Sequence, residues 1–160
     1  MIVIGIDPGI TGAISFISDD SAHVFDLPLM AKGKGQSKVK NQINASGLYA
    51  LIEDNLHDGF GIVKAKAYLE RTSAMPGQGV ASMFSMGDTY GCIRGVLAVM
   101  GIPTETIAPQ KWKRFYGLGN DKEVARAKAI ELYPQIDLSR KKDHNRAEAL
   151  LIGRYGMRQN

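Results

Sequence analysis

Cysteine is nearly absent from this sequence, since Cys92 is the only one among 160 residues. A lone cysteine cannot form a disulfide within the chain, and it excludes a structural zinc site built from several cysteines. No apolar run approaches the roughly 18 residues that a membrane span requires, and the N-terminus lacks the pattern of a signal peptide. These absences predict a soluble, cytoplasmic protein of a reducing compartment, with no membrane partner.

The bulk composition is that of an ordinary globular protein. Hydrophobic residues make up 44% of the chain and charged residues 22%. A length of 160 residues predicts one domain, spanning residues 1–160, around one core. The net charge of +4 favours an anionic partner such as nucleic acid, although many small proteins are mildly basic.

The opening stretch, MIVIGIDPGITGAI, carries the first functional signal. Residues 2–6 are apolar and rich in β-branched side chains, which predicts a central strand, and Asp7 follows at its end. Pro8 and Gly9 indicate a turn, after which residues 13–17 can pair antiparallel with the first strand. A carboxylate at the end of a buried strand is costly unless it has a partner such as a metal ion. The alternative is that Asp7 merely caps the turn.

The region that follows predicts a third strand, a loop, a helix and a fourth strand. The strands cover residues 22–27 and 65–69, and a mobile basic loop, either a linker or a phosphate contact, covers residues 32–40. Ser46 is the predicted N-cap of the helix, which continues to about His57. Glu70 ends the fourth strand, so two parallel-capable strands each end on a carboxylate. Because active sites of α/β sheets gather at strand carboxyl ends, Asp7 and Glu70 predict a metal site.

The longest predicted helix runs over residues 80–100. Its predicted apolar stripe consists of Met83, Met86, Tyr90, Ile93, Leu97 and Met100. Gly87, Gly91 and Gly95 recur on another face, and each glycine costs a helix roughly 0.5–1 kcal/mol relative to alanine. Either packing onto the sheet or a contact between subunits explains them.

A basic and aromatic segment follows a fifth predicted strand at residues 104–107. Lys111, Lys113 and Arg114 are candidate phosphate contacts, whereas Trp112 is expected to lie in the core. Asn120 and Glu123 have the spacing of a capping box for a helix that ends at Tyr133. Lys122 and Arg126 lie four residues apart on one face of that helix, which favours an anion beside them.

The last predicted helix contains the segment SRKKDHNRAE, residues 139–148. Glu148 lies at the edge of an apolar face, where a carboxylate requires a cation. Helical spacing selects His144 and Asn145 as its neighbours, whereas the preference of Mg²⁺ for oxygen favours Asp143. Asp143 is therefore predicted as a metal ligand and His144 as a group that positions water or releases a proton. Which of the two is the fourth site residue stays open.

Four blocks of the sequence resemble one known family. They are GIDPGITG with Asp7, YLE with Glu70, Pro109-Gln110 with Trp112-Lys113, and KKDHNRAEALLI with Glu148. In this order they resemble the RuvC-like Holliday junction resolvases of bacteria and phages, within the RNase H-like superfamily. The family commonly has two acids, or a histidine and an acid, three or four residues apart in the last helix. Here Asp143 and Glu148 are five apart.

The resemblance implies an α/β, RNase H-like fold with a five-stranded mixed sheet flanked by helices. It also implies a homodimer, from a bacterial or phage source, that cuts four-way DNA junctions by two-metal hydrolysis. Two Mg²⁺ ions, which Mn²⁺ could replace, would be held by Asp7, Glu70, Glu148 and either Asp143 or His144. The alternatives are an RNase H-like or flap-type nuclease on the same fold, and a junction-binding module without catalysis.

Overall fold

The computed structural model describes residues 1–33, 41–57, 61, 63–74 and 76–159. Most of the predicted basic loop, residues 34–40, lies outside these ranges. The strands are β1 (Ile2–Asp7), β2 (Ala13–Ile17), β3 (Ala22–Asp26), β4 (Leu29–Ala31), β5 (Asn41–Ile43), β6 (Ala65–Glu70) and β7 (Thr104–Ile107). The helices are α1 (Ala45–Leu56), α2 (Val80–Val99), α3 (Pro109–Phe115), α4 (Lys122–Leu132) and α5 (His144–Met157), with a 3₁₀ turn at Lys141–Asp143.

Five of the strands form one mixed sheet, as the sequence predicted. Its order is β3-β2-β1-β6-β7, in which β1 pairs antiparallel with β2 and parallel with β6. The strands β4 and β5 form a separate antiparallel pair that the sequence analysis missed. Each has three residues, too few to show the alternation by which a strand is recognised.

Helices cover both faces of the sheet, and the sheet separates the core into two clusters. Val3, on one face of β1, packs in a cluster with residues of α3, α4 and α5. Ile4 and Ile6, on the opposite face, pack with α1 and α2. Side chains alternate between the two faces along a strand, and Asp7 follows Val3 by four residues. Asp7 therefore lies on the same face as Val3, the face that α5 covers. None of the helices in the described ranges is long and apolar enough to cross a membrane.

The backbones of β1 and α5 approach each other closely. A Cβ on Gly5 would overlap the carbonyl oxygen of Ala149 and the backbone nitrogen of Gly153. Ser15 in β2 reinforces this approach, because its buried Oγ donates to the Ala149 carbonyl at 2.7 Å. The backbones of the central strand and the last helix are thus packed directly against each other.

Two predicted helix caps are wrong by one or two residues. Asn44, not Ser46, caps α1, and its Oδ1 accepts from the Gly47 amide at 3.0 Å. Asp121, not Asn120, caps α4, and its Oδ1 accepts from the Glu123 amide at 2.9 Å. In both cases neighbouring residues are chemically able to cap, and the path of the chain decides between them.

The predicted apolar stripe of α2 is correct only in part. The fully buried positions of this helix are Ser85, Thr89, Ile93 and Leu97, a row with a spacing of four. The predicted methionines and Tyr90 lie beside this buried row and are only partly buried. Small side chains occupy the first two buried positions, so hydrophobicity alone gives no signal there.

The three glycines of α2 do not pack onto the sheet. Gly87, Gly91 and Gly95 are exposed, and an added Cβ on any of them meets no described atom within 4 Å. The prediction that sheet packing explains them is therefore wrong. A contact between subunits stays a prediction.

The β1–α5 approach generates a stability prediction. Gly5→Ala should lower the free energy of unfolding by about 3 kcal/mol or more, since a new methyl group must displace two backbones. Gly87→Ala is the matched control, because its methyl group meets open space and should stabilise α2 slightly. Urea denaturation of both variants measures the difference, and equal stabilities would contradict the direct packing of α5 on β1.

Candidate active site

Three carboxylates from distant parts of the chain meet at one edge of the sheet. Asp7 ends β1 and Glu70 ends β6, and these strands are parallel neighbours, so their carboxyl ends lie side by side. Glu148 lies in the first half of α5, which packs across β1, and it is only 6% exposed. The structure thus brings Asp7, Glu70 and Glu148 near one another, and their role as metal ligands stays a prediction.

Asp7 has the most unfavourable electrostatic environment of the three. Burial raises the pKa of its carboxyl well above the ordinary value, and the negative charges of Glu148 and Glu70 raise this pKa further. The positive charges of Lys122 and Lys113 act in the opposite direction but do not compensate. Asp7 is therefore a desolvated group, beside two like charges, that a further cation would stabilise.

Glu70 is held by a hydrogen bond from α3. The indole Nε1 of Trp112 donates to Glu70 Oε2 at 2.6 Å, and Trp112 itself is fully buried. Burial raises the pKa of Glu70, the Trp112 hydrogen bond lowers it, and the charge of Glu148 raises it again. Burial has the largest effect, so the net shift of this pKa is upward.

Two lysines supply the positive charge of the site. Lys113, the residue after Trp112 in α3, places Nζ 3.7 Å from Glu148 Oε1. Lys122, the first residue of α4, lowers the pKa of both Asp7 and Glu70 through its charge. The predicted role of Lys113 toward phosphate stays a prediction, and in this structure the lysine lies beside Glu148.

The donor set matches a hard divalent cation in kind, because carboxylate oxygens are the ligands that Mg²⁺ prefers. The mutual repulsion and burial of Asp7, Glu70 and Glu148 provide the reason for such an ion to bind. Within the described ranges, however, no three His, Cys, Asp or Glu side chains already lie close enough to hold one. Lys113 supplies positive charge at Glu148 in this arrangement.

Asp143 is engaged elsewhere. Its carboxylate accepts from Arg140 Nη2 at 2.7 Å, from Nε at 3.1 Å and from the backbone amide of the same residue at 2.9 Å. These bonds close the 3₁₀ turn before α5 and hold the pKa of Asp143 below its usual range. Metal ligation by Asp143 stays a prediction.

The first turn of α5 is fixed by polar contacts to neighbouring strands and turns. His144 places Nδ1 2.9 Å from the Lys141 carbonyl. Asn145 Nδ2 donates to the Thr11 carbonyl in the turn after Asp7. Arg146 forms a bidentate ion pair with Asp26 at the end of β3, in which Nε donates to Oδ1 at 2.6 Å and Nη2 donates to Oδ2 at 2.7 Å. These contacts hold the start of α5 against the turn that follows Asp7.

The other predicted phosphate contacts have different surroundings. Lys111 and Arg114 are exposed on α3. Arg126 pairs with Glu123 at 2.6 Å and donates to the carbonyl of Leu138 at 2.9 Å. The role of Arg126 toward phosphate stays a prediction.

Sequence reasoning missed the contacts of Trp112 and Arg140. The Arg140–Asp143 pair has a sequence signal, since oppositely charged residues three apart often interact. Glu70 and Trp112 lie 42 residues apart, and nothing in the sequence links them.

No protein-family model matches the chain. In sequence it is similar to the chloroplastic Holliday junction resolvase MOC1 of Chlamydomonas reinhardtii, with 35% identity over 94 residues. That match covers 56% of this chain and 11% of the relative, so the chain spans only about a tenth of the length of this curated protein. The predicted cytoplasmic location stays a prediction, because this relative is chloroplastic.

Solved structures share the fold over the whole chain. Thermus thermophilus RuvC in complex with a Holliday junction substrate matches with a TM-score of 0.65 and 17% identity, covering 100% of this chain and 96% of that one. A second Thermus thermophilus RuvC structure matches with a TM-score of 0.56, 20% identity, and coverage of 99% and 96%. The yeast mitochondrial Holliday junction resolvase matches with a TM-score of 0.53, 18% identity, and coverage of 98% and 77%. The predicted RNase H-like fold of the RuvC type, and the resemblance to junction resolvases, are confirmed.

The environments of Asp7 and Asp143 predict opposite effects on stability. The pKa of Asp7 is raised in the folded chain, so the ionised carboxylate lowers the stability of the fold at pH values above its usual pKa of 3.8. Asp7→Asn should therefore raise the melting temperature at pH 7 in the absence of metal. The pKa of Asp143 is lowered, so its ionised form contributes stability that is lost as pH falls below 3.8. Asp143→Asn should therefore cost about 1–2 kcal/mol at pH 7.

Thermal unfolding of both variants between pH 3 and pH 8 measures these effects. A change of 1 kcal/mol shifts the melting temperature of a domain of this size by about 2–4 °C. Both differences from the wild type should shrink as the pH approaches 3. Destabilisation by Asp7→Asn at pH 7 would contradict the electrostatic description of the site.

Proposed function

We propose that residues 1–160 act as one nuclease domain that resolves four-way DNA junctions by metal-assisted hydrolysis of phosphodiesters. The observation that carries the proposal is the meeting of Asp7, Glu70 and Glu148 beside Lys113 and Lys122. A buried set of carboxylates flanked by lysines suits a reaction in which divalent cations and a DNA phosphate are brought together. The fold shared with a RuvC bound to a Holliday junction supports four-way DNA as the substrate.

In this proposal the carboxylates hold the metal and the lysines hold the DNA. When bound, two Mg²⁺ ions, or Mn²⁺ in their place, would activate the attacking water and stabilise the leaving oxygen. The charges of both Glu148 and Glu70 act on Asp7, so Asp7 would hold the metal together with either of them. Lys113 would exchange its contact with Glu148 for the scissile phosphate as metal and DNA arrive. No step requires a covalent intermediate on the protein.

The fourth site residue is proposed from α5 or the turn before it. His144 lies four residues before Glu148, on the same side of the helix. An imidazole can act as a general base when neutral and as a general acid when protonated. Asp143 offers the harder ligand but is paired with Arg140. The two roles are separable by metal titration, because loss of a ligand raises the Mg²⁺ concentration required, whereas loss of a proton-transfer group lowers the maximal rate.

The first prediction for this function concerns the carboxylates. Asp7→Asn and Glu70→Gln should each abolish cleavage of a four-way junction while leaving junction binding intact or tighter, since removal of a negative charge deletes a ligand but relieves repulsion of phosphate. Nicking and gel-shift assays on one labelled junction measure both. Y-shaped DNA and an RNA–DNA hybrid in parallel test the alternative nucleases. Normal cutting by either variant would eliminate the proposed site.

A second prediction concerns the phosphate contacts, proposed to be Lys111, Lys113, Arg114, Lys122 and Arg126. Lys122 gives the clearest test, because it takes part in none of the ion pairs found among the described residues. Lys122→Ala should weaken binding to all junction sequences and reduce the slope of log affinity against log salt by about one. Lys128→Ala is the matched control, since Lys128 pairs with Glu131 at 2.7 Å. An unchanged slope for Lys122→Ala would remove Lys122 from the interface.

A third prediction concerns assembly. A four-way junction has two-fold symmetry, so paired cuts favour a homodimer. The exposed glycines of α2 suggest where the subunits meet. Gly91→Leu should convert a dimer to a monomer, although in the isolated chain the new side chain meets open space and favours the helix.

Sedimentation velocity measures the assembly. Ala127→Leu, at an exposed position of α4, is a control that adds similar apolar area. The control should remain a dimer. A monomeric wild type that still makes paired cuts would contradict the dimer, and a dimeric Gly91→Leu would place the contact elsewhere.

A further inference from the structure

Trp112 is the only tryptophan of the chain, and its polar atom contacts a carboxylate of the candidate site. Its ring is fully buried, and Nε1 donates to Glu70 Oε2 at 2.6 Å. A buried indole N–H usually finds some acceptor, and a backbone carbonyl would serve equally well for stability. Here the acceptor is instead a side chain at the carboxyl end of β6.

The position of the indole is determined by the hydrophobic core. Trp112 packs in the cluster that contains Tyr68, Ile107 and Leu151, from β6, β7 and α5. Helix α3 begins at Pro109, two residues after β7 ends, which leaves it little freedom to move. The N–H of Trp112 is therefore a donor at a fixed point, whereas the Glu70 side chain has three rotatable bonds.

A fixed donor restricts the carboxylate in a specific way. The hydrogen bond engages Oε2 and so restricts the rotation of the Glu70 carboxylate, which lies close enough to Glu148 and Asp7 for their charges to interact. The next residue, Lys113, contacts Glu148, so one turn of α3 determines the surroundings of two of the three carboxylates. Hydrogen-bond partners that orient ligands in this way typically change metal affinity by about 10- to 100-fold when they are removed.

We propose that Trp112 is a positioning residue, which holds Glu70 in the orientation that binds the metal ion and adjusts metal affinity through its N–H. The inference rests on the proposed function, since it requires a cation at Asp7, Glu70 and Glu148. It differs from a purely structural role because it assigns the effect to one hydrogen atom, not to the ring that fills the core.

The single tryptophan allows a test with nearly isosteric rings. Expression in a tryptophan auxotroph can replace Trp112 alone by benzothienylalanine, in which sulfur takes the place of the N–H, or by a fluorotryptophan that keeps it. Calorimetric titration of both proteins with Mn²⁺, without DNA, measures metal affinity independently of cleavage. We expect the dissociation constant of the sulfur analogue to be about tenfold higher than that of the fluorinated one.

The outcomes separate this inference from the proposed function. Equal Mn²⁺ affinities in two folded analogues would overturn the role of Trp112 but leave the nuclease proposal standing. Absence of Mn²⁺ binding to the wild type would overturn both. A tenfold difference, lost when both analogues also carry Glu70→Gln, would support the inference.

A double-mutant cycle applies if the sulfur analogue does not fold. Thermal unfolding of Trp112→Phe, Glu70→Gln and the double variant, all without metal, measures the coupling of the two side chains. The loss caused by Trp112→Phe should be smaller in the Glu70→Gln background, because a neutral amide loses less than a carboxylate when its donor is removed. Additive losses would contradict a contact that orients Glu70.

Discussion

The direct packing of α5 against β1 is the constraint on which the rest of the structure depends. Gly5 and Gly153 have no side chains between the two backbones, and Ser15 adds a buried hydrogen bond to the Ala149 carbonyl. This approach sets both the height and the rotation of α5 above the sheet. Glu148, one residue before Ala149, is thereby brought beside Asp7, although the two are far apart in the chain. A looser helix would leave Glu148 in the core without a partner.

The candidate site concentrates negative charge that the fold itself does not neutralise. Burial and the charges of Glu148 and Glu70 raise the pKa of Asp7, while Lys113 and Lys122 offset only part of the effect. Natural proteins retain such unfavourable arrangements mainly at functional sites, where a ligand supplies the missing charge. The hydrophobic cluster beneath α3 provides the rigidity that this requires, because it fixes the residues that contact Glu70 and Glu148.

The charged residues from Arg140 to Glu148, before and within the start of α5, have two different roles. Asp143 closes a turn with Arg140, and Arg146 connects the helix to Asp26 of β3. Both are ion pairs that orient the helix. Glu148 is the acid of this segment whose charge raises the pKa of both Asp7 and Glu70. Neighbouring charged residues in one segment can thus have different functions, because each successive residue of a helix points about 100° away from the one before.

The sequence by itself determined the five strands of the mixed sheet, the long helices and the two strand ends that carry Asp7 and Glu70, because these follow from short-range patterns of polarity and from recognisable motifs. It also indicated Glu148, as a carboxylate on an apolar face. It did not show the three-residue strands β4 and β5. It did not determine the caps of α1 and α4, where adjacent residues are chemically equivalent. Only the tertiary structure decided the contact of Trp112 with Glu70, the pairing of Asp143 with Arg140 and the exposure of the α2 glycines. These three features share one physical cause. Each depends on which surfaces meet when the helices pack on the sheet, and packing between residues distant in the chain leaves no periodic signal in the sequence.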